Sequence, residues 1–194
     1  ALSQCLRRWL WVTLLYQNNF IISKIDFMKI KNVTVAGTGV LGSQIAFQTA
    51  FKGFKVSAYD INDEALEKAK ERFNVLKERY QEDSYGTKEE VDAAYDRISL
   101  HTDLAKAVGN ADLVIEAVPE LLGIKQNFYK ELSKVAKAET IFASNSSTMV
   151  PSQLVSFTDR PDKYLHLHFA NEIWKLNIAE IMKHDVTSKE VFEE

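Results

Sequence analysis

Three glycines at positions 37, 39 and 42 constrain this chain most, because of the segments that flank them. Ile30 to Ala36 reads as a short apolar strand, and Val40 to Lys52 reads as a helix that begins within the glycine turn. Lys55 to Tyr59 reads as a second strand, and it ends at Asp60, 23 residues after the first glycine. This succession of strand, glycine turn, helix, strand and acid is typical of a dinucleotide site.

The turn itself, Gly37-Thr38-Gly39-Val40-Leu41-Gly42, would hold the diphosphate of the cofactor. The first glycine lets the backbone turn sharply, the second lets a phosphate approach the backbone, and the third lets the helix pack closely on the strand. The amino end of the helix then offers unpaired N–H groups and a positive dipole to the phosphates.

Asp60 decides which dinucleotide is expected. Its carboxylate can accept hydrogen bonds from both hydroxyls of an adenine ribose, whereas it would repel a 2′-phosphate. The sequence therefore predicts NAD as the cofactor and not NADP. The alternative is that the glycines only turn the chain and that Asp60 caps a helix just before Asn62.

Composition excludes several classes of partner. With 194 residues, 46% of them apolar and 26% charged, the chain is globular. A net charge of −3 and a pI near 5.9 argue against a nucleic acid partner. Cys5 is the single cysteine, and none of the four histidines has a second histidine or cysteine at zinc-finger spacing, so we predict no metal site.

Residues 1–27 differ in composition from the rest of the chain. Their apolar run, Trp9 to Tyr16, is too short to span a bilayer, so we predict no membrane partner. Met28 is the first methionine and lies two residues before the first strand. We therefore expect 1–27 to be a non-native or disordered extension and 28–194 to be one dinucleotide-binding domain. A targeting segment after Arg7 and Arg8, or a true structural element, are the alternatives.

The rest of the chain alternates helices and strands. The helices Asn62 to Gln81 and Thr87 to Tyr95 form an insertion longer than a minimal nucleotide unit needs. This alternation predicts an α/β fold, a doubly wound and mostly parallel sheet with a helical insertion. The later strands are expected at Asp112–Val118, Thr140–Ala143, Tyr164–Phe169 and Asn177–Met182, with Trp174 in a loop between the last two.

The last residues predict a helix start. Thr187 and Glu190 have the spacing of a capping box, and the chain stops at Glu194 soon after it. A helix that short has little stability of its own, so we expect the chain to be truncated inside a larger protein.

Polar groups after the later strands are candidates for chemistry. His168 ends one strand, and Glu180, in the next strand, could orient it as a general base. Ser147 could bind a substrate oxygen, and Asn171 could hold the cofactor. The alternatives are a structural histidine and, for Asn145 and its neighbour Ser146, simple turn formers.

The stretch from Lys31 to Glu194 resembles the NAD-binding domain of the L-3-hydroxyacyl-CoA dehydrogenases, which include the 3-hydroxybutyryl-CoA enzymes. The fold that this resemblance implies is a Rossmann domain. Five motifs in order carry it: the glycine turn, Val114-Ile115-Glu116-Ala117-Val118-Pro119-Glu120, Phe142-Ala143-Ser144-Asn145-Ser146-Ser147-Thr148, His166-Leu167-His168-Phe169-Ala170-Asn171 and Ala179-Glu180-Ile181.

The resemblance implies a role for each matching residue. His168 would take the proton of the 3-hydroxyl while hydride leaves C3 for the nicotinamide, and Glu180 would orient it. Ser147 would contact the substrate oxygen. The cofactor site would be lined by Glu120, Lys125, Asn145 and Asn171. His166 is expected to point to the opposite face of its strand and to be structural.

One departure lies beside the candidate base. The family often has Phe-Phe-Asn-Pro after its histidine, whereas this chain has Phe169-Ala170-Asn171-Glu172. The change leaves the acyl-chain preference and the substrate class open.

The function implied is NAD-dependent oxidation of L-3-hydroxyacyl-CoA to 3-oxoacyl-CoA, or the reverse, in the cytoplasm. The resemblance also implies an acyl-CoA substrate and a homodimer formed through a further, all-helical domain. Two alternatives stand beside it: a dehydrogenase of a free 3-hydroxy acid or sugar acid, and a non-catalytic dinucleotide-binding module. We expect these 194 residues alone to bind NAD weakly and to be inactive.

Overall fold

The computed structural model describes residues 29–194, and the extension expected over residues 1–27 lies outside them. Within the described residues, seven strands form one sheet. They are β1 (Asn32–Ala36), β2 (Lys55–Tyr59), β3 (Ile98–His101), β4 (Leu113–Glu116), β5 (Ile141–Ser144), β6 (Tyr164–Phe169) and β7 (Ala179–Lys183).

The order of these strands across the sheet is β3-β2-β1-β4-β5-β6-β7. The first six are parallel, and β7 pairs antiparallel with β6 at the edge. The chain winds outward from β1 in one direction and then from β4 in the other, so the predicted doubly wound Rossmann sheet is confirmed.

Helices cover both faces of the sheet. None of those in the described part of the chain combines the length and the apolar character needed to cross a membrane. They are α1 (Val40–Phe51), α2 (Asp63–Glu82), α3 (Lys88–Asp96), α4 (Leu104–Val108), α5 (Leu122–Val135), α6 (Pro151–Leu154), α7 (Ile173–Leu176) and α8 (Lys189–Glu193).

Local sequence explains where the insertion helices begin. Asn62 caps α2 by accepting a hydrogen bond from the backbone N–H of Ala65, at 2.9 Å. Thr87 and Glu90 form the capping box of α3. Both helices bury an apolar stripe, which packs against α1 and the sheet.

Two apolar cores lie on opposite faces of the sheet, because alternate residues of each strand point to opposite sides. One core packs α1, α2, α3 and Trp174 against Val33, Val35 and Leu165. The other packs α5 and the segment around Leu154 against strand residues that include Val114. The carboxyl ends of the strands between them stay open.

Three local expectations were wrong. The strand predicted to run to Val118 ends at Glu116, since the backbone N–H of Val118 donates to the Glu116 side chain instead of to a neighbouring strand. Trp174 lies in α7 and not in a loop, because its ring is buried against α2. Ser188, not Thr187, caps α8, because the hydroxyl of Thr187 donates to a backbone carbonyl of β6.

Candidate active site

The candidate site lies where β1 and β4 are neighbours, since the chain leaves these two strands in opposite directions. The glycine turn follows β1, and Ala117 to Pro119 follow β4 on the other side of the crevice. Backbone hydrogen bonds join the two strand ends, including one from Ala117 N–H to the Ala36 carbonyl at 2.7 Å. The fold therefore places the predicted turn at the crevice where open α/β sheets bind ligands.

Each of the three positions in the turn favours glycine for a different steric reason. Gly37 has φ of +95°, and a Cβ there would stand 2.4 Å from the carbonyl oxygen of Ala117. A Cβ on Gly42 would stand 1.9 Å from the carbonyl oxygen of Gly37. At Gly39, by contrast, a Cβ would meet no heavy atom within 4 Å among the described residues beyond its own chain neighbours. The space above Gly39 is thus open to a ligand.

The amino end of α1 adds the chemistry of an anion site. The helix begins after Gly39, which has no side chain to cap it, and its first turn carries no acidic residue. The N–H groups of Val40, Leu41 and Gly42 belong to the first turn and have no partner within the helix. Together with the open space above Gly39, these groups fit a diphosphate, as a dinucleotide cofactor requires.

Asp60 lies against the turn, as a dinucleotide site requires. Its Oδ2 accepts hydrogen bonds from the backbone N–H of Thr38, at 2.8 Å, and from the Thr38 hydroxyl, at 2.6 Å. Its Oδ1 accepts from the N–H of Ile61. Since Asn62 caps α2, the structure does not support the alternative that Asp60 is a helix cap.

A cavity of about 570 Å³ lies beside Asp60 and Gly39. Its walls are mostly apolar and carry the residues that sequence reasoning missed, chiefly Ile61, Leu104 and Phe128. Such a slot suits a flat, apolar ring such as adenine. The sequence signal for this slot is Ile61, an apolar residue directly after the acid that ends β2, and the structure leaves this residue 76% exposed.

His168 and Glu180 face each other across the β6–β7 pair. Nδ1 of His168 lies 2.9 Å from Oε2 of Glu180. A carboxylate can only accept, so a neutral His168 carries its proton on Nδ1 and presents an unprotonated Nε2. This arrangement can remove a proton from a bound hydroxyl, and the carboxylate stabilises the imidazolium that forms.

The turn that carries Ser147 is organised by Glu120. Ser146 and Thr148, on either side of Ser147, both donate side-chain hydrogen bonds to the Glu120 carboxylate. Burial raises the pKa of Glu120, but these bonds and Lys125 outweigh burial and lower the pKa to about 2. The Ser147 side chain is exposed at the tip of the turn, where it can contact a ligand.

Beneath this turn lies a buried charge pair. Nζ of Lys125 is 2.5 Å from Oε1 of Glu116 and 3.0 Å from Oε2 of Glu120. The Lys125 side chain is only 1% exposed, so it acts on the site through Glu120. Ser144 and Tyr129 donate to the other oxygen of Glu116. Sequence reasoning missed Glu116 because it ends an apolar strand.

The two asparagines of the site have different surroundings. Asn145 follows β5, and its Oδ1 accepts a hydrogen bond from the N–H of Phe169 at 2.9 Å. Asn145 thereby ties the end of β5 to the residue next to His168. Asn171 is exposed, in the loop after β6, where its amide is accessible to a ligand.

His166 does not point to the opposite face from His168, and that prediction was wrong. Residues two apart in a strand share a face. His166 is fully buried on this face, where its Nε2 lies 2.9 Å from the Tyr164 hydroxyl and its Nδ1 has no hydrogen-bond partner in the described residues. Burial, and then Lys125, lower the pKa of His166 to about 4, so it is neutral at pH 7.

Comparison with known proteins shows the family of the chain. Residues 32–194 match a family model described as 3-hydroxyacyl-CoA dehydrogenase, NAD binding domain. A probable 3-hydroxybutyryl-CoA dehydrogenase of Bacillus subtilis (strain 168) is 36% identical over 163 residues, which are 84% of this chain and 56% of the relative. The chain spans about half the length of the curated relatives it matches.

Two solved structures share the fold closely. A diketoreductase, solved in work on dual catalysis of dicarbonyl compounds, has a TM-score of 0.84 and 54% sequence identity, covering 86% of this chain and 59% of that one. The 3-hydroxybutyryl-CoA dehydrogenase of Escherichia coli K12 has a TM-score of 0.80 and 28% identity, covering 86% of this chain and 35% of that one.

Proposed function

The chain belongs to the family of 3-hydroxyacyl-CoA dehydrogenase NAD-binding domains, and from this premise we propose that the full-length protein oxidises L-3-hydroxyacyl-CoA to 3-oxoacyl-CoA with NAD, or catalyses the reverse. The observation that carries the proposal is the contact between His168 and Glu180 at the carboxyl ends of the strands, on the same edge of the sheet as the glycine turn.

The residues that would hold the cofactor follow from the crevice. The N–H groups at the start of α1 bind the diphosphate, Asp60 accepts from the ribose hydroxyls, and the apolar cavity beside Ile61 takes the adenine. The negative charge of Asp60 disfavours a 2′-phosphate, so we expect the protein to bind NAD more tightly than NADP. Bound NAD supplies the acceptor for the hydride that leaves C3 of the substrate.

The proton steps belong to the side chains. In oxidation, Nε2 of His168 accepts the proton of the C3 hydroxyl as the C–O bond gains double-bond character. Glu180 holds the ring through Nδ1 and stabilises its positive charge. Ser147 donates a hydrogen bond to the substrate oxygen, from a turn that Glu120 keeps in place. In reduction, His168 returns the proton to the new alkoxide.

A second candidate substrate is a dicarbonyl compound without CoA. The 54% identity to a diketoreductase is well above the 36% identity to the Bacillus subtilis relative, and this difference favours it. The same side chains perform the reduction, since only the group attached to the reacting carbonyl changes. The altered loop at Ala170 to Glu172 lies next to the base, where it can select between the two substrates.

The proposal is tested with full-length His168→Ala and the matched control His184→Ala. The control histidine lies at the other end of the β6–β7 pair. We expect His168→Ala to lose about 10²–10⁴-fold in turnover, the usual range for a lost general base, while it still binds NADH. Turnover close to that of the control variant would refute the role of His168.

Two assays of the wild-type protein separate the substrates. NADH consumption is followed with the 3-oxo form of 3-hydroxybutyryl-CoA and, separately, with a dicarbonyl compound that lacks CoA. A larger kcat/KM for the CoA thioester supports the leading proposal, and a larger one for the compound without CoA supports the second candidate. The homodimer, the helical domain, the cytoplasmic localisation and the inactivity of the isolated 194 residues stay predictions.

A further inference from the structure

The four residues that follow His168 are held at both ends by backbone N–H groups. The N–H of Phe169 donates to Oδ1 of Asn145, at 2.9 Å. The N–H of Glu172 donates to Oε1 of Gln44, at 2.8 Å. Between these anchors lie only Ala170 and Asn171, so their backbone has little freedom to move.

Glu172 adopts an unusual backbone conformation to make its bond. Its φ is +58° and its ψ is +45°, in the left-handed region that non-glycine residues rarely occupy. Such strain persists only where the surroundings over-determine it. Here the Glu172 carboxylate pairs with Arg79 of α2, and the Arg79 guanidinium stacks over the Trp174 ring at 4.7 Å.

Gln44 joins this loop to the cofactor turn. It lies in the second turn of α1, shortly after the N–H groups proposed to bind the diphosphate. Its side chain is buried and cannot move independently of the helix. The bond between Gln44 and Glu172 therefore links the helix that would hold the cofactor to the loop that carries Asn171.

We propose that Gln44 and Glu172 are positioning residues, whose bond fixes Asn171 beside His168 and thereby sets the efficiency of reaction with the carbonyl substrate. The inference rests on the proposed function. The bond acts on Asn171 and not on the diphosphate site, so its loss should lower kcat/KM for the carbonyl substrate by a larger factor than it lowers NADH affinity. A displacement of about 1 Å at a reacting site can cost about 100-fold in rate.

A matched pair of substitutions at one position separates the backbone bond from the side chain. Glu172→Pro removes the N–H and demands a φ near −65°, so the loop must leave its position. Glu172→Gly keeps the N–H and tolerates a positive φ, but it loses the ion pair with Arg79. We expect kcat/KM of the full-length proline variant to fall at least about tenfold below that of wild type. The kcat/KM of the glycine variant should stay much closer to that of wild type.

Gln44→Met provides an independent route, because it removes the acceptor and leaves Glu172 unchanged. This variant tests the positioning role even if the proline variant does not fold. We expect a loss similar to that of Glu172→Pro, and no further loss in the double variant, since both changes break one bond. Arg79→Met removes the ion pair and the stacking on Trp174 but leaves the backbone bond, so it should keep a higher kcat/KM than Glu172→Pro.

The outcomes distinguish this inference from the proposed function. Wild-type protein that turns over neither substrate would defeat the proposed function itself. An active wild type whose proline and glycine variants have equal kcat/KM, or whose Gln44→Met variant keeps full kcat/KM, would overturn only the positioning role. A loss of NADH affinity in Glu172→Pro or Gln44→Met as large as the loss of kcat/KM, at unchanged thermal stability, would also overturn it.

Discussion

Replacing Lys125 with methionine tests whether the buried charge pair beneath the Ser147 turn stabilises the fold. Lys125 and Glu116 are 1% and 0% exposed, and their charged atoms are 2.5 Å apart. Methionine has nearly the volume of lysine, so the substitution removes the ammonium and leaves little cavity. The Glu116 carboxylate would then lie buried without a counter-charge.

The expected cost follows from the groups that remain around Glu116. Breaking a buried ion pair by removing one partner typically costs about 3–5 kcal/mol. Three donors, from Val118, Ser144 and Tyr129, still satisfy Glu116. We therefore expect the lower end, about 3 kcal/mol of unfolding free energy at pH 7.

Urea unfolding followed by circular dichroism measures this cost, with Lys134→Met as the control on the same helix. Lys134 pairs with Glu131, but the two side chains are 65% and 60% exposed, so its loss should cost at most about 0.5 kcal/mol. The double variant Glu116→Gln/Lys125→Met should recover most of the stability, because it leaves no buried charge. Equal losses for Lys125→Met and Lys134→Met, or a double variant no more stable than Lys125→Met, would refute the reasoning.

Two further predictions concern the glycine turn and the buried histidine. In Gly42→Ala, the new Cβ would stand 1.9 Å from the Gly37 carbonyl oxygen, so the turn must shift. We expect NADH affinity, measured by calorimetric titration, to fall at least about tenfold. Unchanged affinity would contradict this. The folded pKa of His166 is about 4, below its ordinary value of 6.5, so its stabilising contribution is complete above pH 6.5 and is lost as the pH falls toward 4. Over this pH interval, the free energy of unfolding of wild type, measured with urea, should fall by about 3 kcal/mol more than that of His166→Leu. Parallel pH profiles of the two unfolding free energies would count against this prediction.

Short-range sequence patterns were sufficient to predict the fold and the cofactor turn. The tight turn, the helix start and the acid at the end of β2 depend on residues close in sequence, and the structure brings Asp60 to Thr38 as the pattern requires. The facing of His168 and Glu180 could also be anticipated, because β6 and β7 are consecutive in the chain.

Apart from the end of β4, the wrong expectations concern long-range contacts or the strand period. Trp174 is helical because α2, some 90 residues earlier, buries its ring, and no local pattern records that contact. The role of Gln44 is hidden for the same reason, since its partner Glu172 lies 128 positions away. The expectation for His166 neglected the two-residue period of a strand, which puts it on the face of His168.

The most direct test of the central claim is the ratio of the dissociation constants of NADPH and NADH for wild type and Asp60→Asn. The asparagine keeps an acceptor for the Thr38 N–H but loses the negative charge, so the turn should keep its shape. We predict saturable NADH binding to wild type, NADPH at least about tenfold weaker, and a ratio that approaches one in the variant. No saturable binding of NADH to folded protein, or the same ratio in both proteins, would contradict the account.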